Sequence, residues 1–276
     1  MIDIVNNNER GKNMLRSMYS GISGMRGFQT KLDVIGNNIS NVNTSGFKKG
    51  RVTFQDMMSQ TTRGAQAAEA GRGGINPMQV GLGSQVGSVD NIHTQGFLQS
   101  TGRPLDVAIE GDGFFKVSDG ENIYYTRAGN FYLDDAGNVV TADGYFLLQD
   151  DNSTIQIDPS TTQSFSIAKN GDVNIVTADG TNSDQKIGIT IFANPEGLEK
   201  VGGSLYIESQ NSGEAQHGAP GINGAGDLAA SSLEMSNVDL AEEFTEMIVS
   251  QRGFQANTRI ITTSDEILQE LVNLKR

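Results

Sequence analysis

Apolar residues recur in steps of three and four toward both ends of the chain and alternate in short bursts through its middle. From Leu15 the series Leu15, Met18, Ile22, Met25, Phe28, Leu32, Ile35, Ile39, Val42 has the period of one helix face. Such a helix, about 28 residues long, spans about 42 Å at 1.5 Å per residue. Met18, Met25, Leu32 and Ile39 repeat every seventh residue, while Gly21, Gly24 and Gly27 interrupt the helix propensity. A helix glycine costs about 1 kcal/mol relative to alanine, so three so close together mark a surface where another backbone must approach.

The other end mirrors this pattern. Asn237 or Asp239 is placed to cap a helix, and Asp239 with Glu242 resembles a capping box. Leu240, Met247, Phe254, Ile261 and Leu268 then keep a seven-residue spacing, with Ile260, Ile267 and Leu274 beside them. A heptad held this long predicts a left-handed coiled-coil seam rather than an ordinary core helix.

Between the ends, LDVAI, GFFKV, YYTRAGNFYLD, NVVTADGYFLL, TIQID, SFSIAKNGDVNIV and KIGITIF read as short strands. Their punctuation is turn chemistry: Asp119-Gly120, Ala136-Gly137-Asn138, Asp143-Gly144, Asn170-Gly171 and Asp179-Gly180. The fold class is therefore α+β. N- and C-terminal helices pack as a coiled-coil-like inner domain, and an antiparallel all-β middle domain forms a head. The expected divisions are 1–13, an N-terminal extension; 14–58, the first helix and an Asn-rich elbow; and 59–100, a Gly/Ala/Gln-rich connection read mostly as loop. They continue with 101–210, the β domain; 211–230, a Gly-rich return loop; and 231–276, the C-terminal helix.

Composition narrows the chemistry. The 276 residues carry 33 Asp and Glu against 20 Lys and Arg, a formal charge of −13, which repels a phosphate backbone and argues against nucleic-acid binding. Cysteine is absent, which excludes disulfides, thiol nucleophiles and thiolate metal sites. His93 and His217 are not ligand-spaced and are expected as exposed loop residues. No apolar run is long enough to span a membrane, and MIDIVNNNERGKN lacks the basic and apolar regions of a secretory signal. Catalytic and nucleotide motifs are missing, and the glycines of VGLGSQVG lack a strand before and a helix after them. Asp106, Glu110 and Asp112 alternate along strand-like sequence and are expected to face solvent. Asp134 to Asn138 is too short for a calcium loop. No catalytic residue, cofactor or metal is expected, and interaction chemistry remains.

One stretch resists the helical reading: GNNISNVNTSGFKKG, at residues 36–50, puts Asn37, Asn38, Asn41 and Asn43 at the end of an apolar stripe. Asparagine amides compete with backbone hydrogen bonds and weaken a helix. Asn37, Asn38, Asn41, Asn43, Thr44, Gly46, Phe47 and Lys48 resemble the N-terminal signature of the bacterial flagellar hook and rod proteins. GRPLDVAIEGDGFFKV, YYTRAGNFYLDDAGNVVTADGYFLL and the segment from Leu233 to Arg276 are similar to other parts of that family. The likeness covers all but the first 13 residues and the variable loops, and Met14-Leu-Arg-Ser matches the usual family start, with an upstream initiation codon as the expectation for 1–13.

The resemblance implies a structural protein without enzymatic activity. It implies type III flagellar export, unfolded and without a cleaved signal, then assembly with copies of itself into an extracellular tube whose inner wall is the terminal helices. Other partners so implied are rod proteins, the hook cap, hook–filament junction proteins and the export apparatus. The details look closest to a short hook protein of Gram-positive bacteria, with the distal rod protein as the alternative. A secreted β-domain binding module on a coiled-coil stalk is the alternative from another class. The expected packing residues are Leu15, Met18, Ile22, Met25, Leu32, Ile39, Leu240, Met247, Phe254, Ile261 and Leu268. The Asn-rich segment is expected as an elbow, with Phe47 anchoring it and Lys48, Lys49 and Arg51 meeting acidic neighbouring subunits.

Overall fold

The computed structural model describes residues 2–67, 73–158, 160–177, 180–222 and 224–274; Asp179 of the Asp179-Gly180 turn lies outside them. Among the described residues two helices, α1 (Ile2–Ser40) and α2 (Leu240–Leu274), bracket twenty short strands, the expected α+β class. The chain divides into two units. One comprises the chain up to Ile39, residues 50–90 and the chain from Leu240 onward; the other comprises residues 40–49 and 91–239.

In the first unit α1 and α2 pack antiparallel. Contact partners on α2 fall in number as those on α1 rise: a Cβ on Gly21 would lie 3.3 Å from Ile261, and one on Gly24 2.7 Å from the Asn257 amide. Phe28 meets Gly253, Lys31 pairs with Glu246, and Asn38 with Glu243. Of the three glycines expected to mark a close approach, Gly21 and Gly24 face α2, whereas Gly27 faces the Phe54 ring, 2.8 Å from a Cβ there. The most deeply buried side chains on α2 include a polar set the heptad reading missed. Glu243, Ser250 and Ser264 are buried and, with half-buried Asn257, recur every seventh residue beside Met247, Phe254, Ile261 and Leu268. α1 also begins well before Leu15 and runs without a break across the expected division at residue 13.

Residues 59–100 are not mostly loop. Strands β1 (Gly50–Asp56) and β4 (Ser84–Asn91) pair, and β2 (Ser59–Arg63) with β3 (Met78–Gly81) form an antiparallel hairpin. The segment SQVGSVDN alternates half-buried and exposed positions, a strand period hidden by its glycines and small polar residues. Thr53 and Ser88 join their hydroxyls across β1 and β4 at 2.7 Å.

The second unit is built from β5 (Leu98–Ser100), β6 (Val107–Glu110), β7 (Phe114–Ser118), β8 (Ile123–Thr126), β9 (Tyr132–Leu133), β10 (Val139–Val140), β11 (Phe146–Leu147) and β12 (Thr162–Ile167). It continues with β13 (Asp172–Thr177), β14 (Gly180–Lys186), β15 (Ile189–Ile191), β16 (Glu199–Gly202), β17 (Leu205–Ile207), β18 (Gln216–Gly218), β19 (Asp227–Ala230) and β20 (Ser232–Glu234). A nine-stranded sheet runs β16-β17-β8-β7-β11-β10-β9, with β15 joining β7 to β18. β12-β13-β14 form a second sheet, and β19 with β6 and β20 with β5 form two pairs. The register Phe115↔Thr126 and Ile189↔Phe115 sets Phe115 at the centre of the large sheet. It packs with Val107, Ile109, Val117, Phe131, Leu147, Ile189 and Leu228 in the main core.

The turns follow their sequence chemistry. At Asp119-Gly120 the carboxylate accepts from the N–H groups of Glu121 and Asn122, at 3.0 and 2.7 Å, while Gly120 adopts φ 102°. The 211–230 segment is more than a return loop, because β18 and β19 within it complete sheet pairings. Asp106 does not face solvent: it is buried, accepts a hydrogen bond from Thr101 Oγ1 at 2.7 Å, and pairs with Arg103. Of the two histidines expected as exposed loop residues, His217 is exposed but lies in β18, its Nδ1 2.9 Å from the Thr190 hydroxyl, and His93 is half-buried.

Candidate functional site

The Asn-rich motif contributes to both units. Asn38, near the end of α1, is buried at 1% exposure. Its amide accepts from the Gly50 N–H at 2.9 Å, donates to the Gly50 carbonyl at 2.9 Å, and donates to Glu243 at 3.1 Å. One neutral side chain therefore ties α1, the start of β1 and the first turn of α2, using most of an amide's hydrogen-bonding capacity. Asn37 is exposed on the same helix.

Beyond α1 the chain makes a tight turn within the second unit. The Asn41 carbonyl accepts from Thr44 N–H at 3.1 Å, and its side-chain oxygen from the Thr44 hydroxyl at 3.2 Å. Asn43 is exposed. Gly46 has φ 68°, and a Cβ there would stand 2.5 Å from the Ala128 backbone nitrogen, so the position demands glycine on two counts. Phe47 is buried, and Lys200 lies 4.3 Å over its ring.

Lys48 turns inward. Its side chain is 0% exposed and donates to Glu234 at 2.6 Å and to the Thr94 carbonyl at 2.8 Å. Glu234, also 0% exposed, accepts from Arg127 at 3.2 Å and from the Gly96 N–H at 2.8 Å. Arg127 also donates to the Gly111 carbonyl at 2.8 Å. The expectation that Lys48 meets neighbouring subunits is thereby corrected, because its charge is consumed inside the unit. Arg51 is the exposed cation, 3.7 Å from Asp90. Burial pushes the Lys48 ammonium and the Arg127 guanidinium below their ordinary pKa values, and Glu234 pulls both back upward. Arg127 and Glu234 were missed from the sequence; the one available signal was a lone charge set in each strand-like run.

His93 packs edge-on against Phe114 and Tyr206, at centroid distances of 5.6 and 5.4 Å. Neither ring nitrogen has a hydrogen-bond partner among the described residues. Desolvation first, then the charges of Lys48, Arg127 and Lys200, lower its pKa from 6.5 to about 4. The folded state thus favours neutral imidazole. Its contribution is full above pH 6.5 and is lost as pH falls through about 4. The loss reaches about 3 kcal/mol at most. Stability measured by urea unfolding across that window should fall more steeply in the parent than in His93→Phe; parallel curves would refute the assignment.

On the helices, Met18, Ile22, Met25, Leu32, Ile39, Met247, Phe254, Ile261 and Leu268 are half-buried. Leu15 is placed on α1 by its backbone. Leu240 is 40% exposed. With it, Phe244, Ile248, Val249, Ile260 and Ile267 leave further apolar surface of α2 uncovered. Among the described residues no group of His, Asp or Glu is placed to hold a metal, and no helix is long and apolar enough to cross a membrane.

The buried charges are paired internally, and part of the apolar surface of α2 is turned outward. Three family models match the chain: "Flagella basal body rod protein" over residues 18–48, "Flagellar hook protein FlgE/F/G D1 domain" over 108–175, and "Flagellar basal body rod FlgEFG protein C-terminal" over 229–274. The flagellar basal-body rod protein FlgG of Bacillus subtilis is 62% identical over 265 residues, covering 95% of this chain and 100% of that protein. That of Caulobacter vibrioides is 40% identical over 268 residues, with the same coverage. The flagellar hook protein FlgE of Borreliella burgdorferi is 31% identical across an alignment of 441 residues, again with 95% and 100% covered. The chain belongs to the flagellar hook and basal-body rod protein family, as a structural component of the flagellum and not an enzyme.

Proposed function

We propose that the chain is the repeating subunit of the flagellar rod, exported without a cleaved signal and assembled with copies of itself into a tube continuous with the neighbouring axial proteins. The observation that carries this reading is the full-length likeness to the Bacillus subtilis rod protein, twice the identity found with the Borreliella burgdorferi hook protein. The hook alignment also runs far beyond the 276 residues present here. The hook reading favoured by sequence details therefore yields to the rod. The uncovered apolar surface of α2 supports assembly, since contacts that join different patches head to tail build open filaments. In the rod, the β2–β3 hairpin and the turns of the β unit are the segments available to tune contacts between outer surfaces. Deleting the gene and imaging basal bodies tests the assignment. A rod that ends short is the expected result; a complete rod lacking only the curved segment would return the chain to the hook.

A further inference from the structure

The first unit carries a groove of about 510 Å³ on the face of α1 where Tyr19, Ile22, Leu82 and Val86 form the walls and Arg16 and Arg26 stand among them. Its lining includes no carboxylate. α2 offers a matching shape: Leu240, Phe244 and Ile248, at i, i+4 and i+8, form one ridge that is 40–57% exposed. The sequence DLAEEFTEMI around it holds four carboxylates and no cation; Glu243 is buried against Asn38 and Glu246 pairs with Lys31, while Asp239 and Glu242 are exposed beside the ridge. The ridge is about 12 Å long and the stretch of α1 from Arg16 to Thr30 about 21 Å, so the one fits along the other.

The ridge cannot fill the groove of its own chain. Antiparallel pairing holds Glu243 at Asn38 and Glu246 at Lys31. Asn38 lies about 22 Å along α1 from Ser23, in the middle of the groove. We propose that the groove on α1 of one copy receives the Leu240, Phe244, Ile248 ridge of a second copy. The proposal rests on the polymer reading above and gives it an interface. Groove and ridge are different patches, so each copy retains a free groove and a free ridge after docking. Such a contact propagates as an open filament when its rotation does not close a ring. Opposite charge on the two patches orients the encounter and disfavours groove-to-groove pairing.

The test uses full-length chains. Tyr19→Glu with Arg26→Glu disables the groove, and Phe244→Asp with Ile248→Asp disables the ridge. Tyr19, Phe244 and Ile248 are at least half exposed, so the fold should survive, as circular dichroism will report. Each variant alone should stay monomeric under conditions where the parent forms tubes. Mixed together, they should give a one-to-one dimer and nothing longer, because one intact groove and one intact ridge remain. Tubes from either variant, or monomers from the mixture, would overturn the proposal. A second readout does not depend on disruptive charges. Because the chain has no cysteine, Tyr19→Cys with Phe244→Cys in one chain should give a ladder of linked subunits with a short thiol cross-linker. Parent tubes whose cysteine variant gives no ladder would reject this interface and leave the polymer reading intact. A parent that forms no tubes would reject the polymer reading itself.

Discussion

Glu234→Gln is expected to destabilise the protein by about 3–5 kcal/mol, the cost of leaving a buried charge without its partner. The carboxylate accepts from Lys48, Arg127 and the Gly96 N–H at once. Glutamine keeps one acceptor and turns an NH₂ group toward the two cations. Lys48→Met should do much less, because Arg127 and Glu234 would remain matched. Urea unfolding followed through the tyrosines would measure both. The asymmetry is the diagnostic result: equal losses would mean that packing, not charge compensation, holds this site.

Ile261→Asp should abolish assembly. Ile261 is the side chain that a Cβ on Gly21 would touch at 3.3 Å, so the substitution sets a carboxylate in a close contact between α1 and α2. Burying an unpaired charge there costs several kcal/mol, enough to separate a helix pair whose isolated members are marginal in water. Loss of helical signal is expected while the β unit keeps its near-ultraviolet spectrum, with no tubes by electron microscopy. Cells carrying the change should not swim, and normal motility would refute the packing described here.

Much of this was legible in the sequence because its signals are local. The 3.6-residue period places α1 and α2, and Asp119-Gly120, Asp143-Gly144 and Asn170-Gly171 place turns, each by chemistry contained within a few residues. The antiparallel pairing of the helices was half legible: Gly21 and Gly24 announced a close approach without naming Asn257 and Ile261 as what approaches. Lys48 was misread because a lysine in a basic run ordinarily solvates its charge. Its partner Glu234 is 186 positions away and Arg127, the second cation on that carboxylate, is 79 away, and no local pattern links them. β4 was misread for the opposite reason, since glycine and serine satisfy strand geometry while hiding its alternation.

Asn237 is a small feature with a consequence for timing. Its side chain accepts from the Lys49 N–H at 2.8 Å and donates to the Ile92 carbonyl at 2.8 Å, so the second unit clamps together two points far apart in sequence. Those points stand next to the segments that lead into α1 and α2. Joining the helices directly means closing a loop of more than 200 residues, as the contact between Met25 and Thr258 requires, and closure entropy rises with length. Once the β unit has formed, most of that loop is already fixed. The head can thus form before α2 pairs, and the two ends then join as a late, short-range step. The apolar faces of the two helices then become a paired surface only once both ends of the chain are in place.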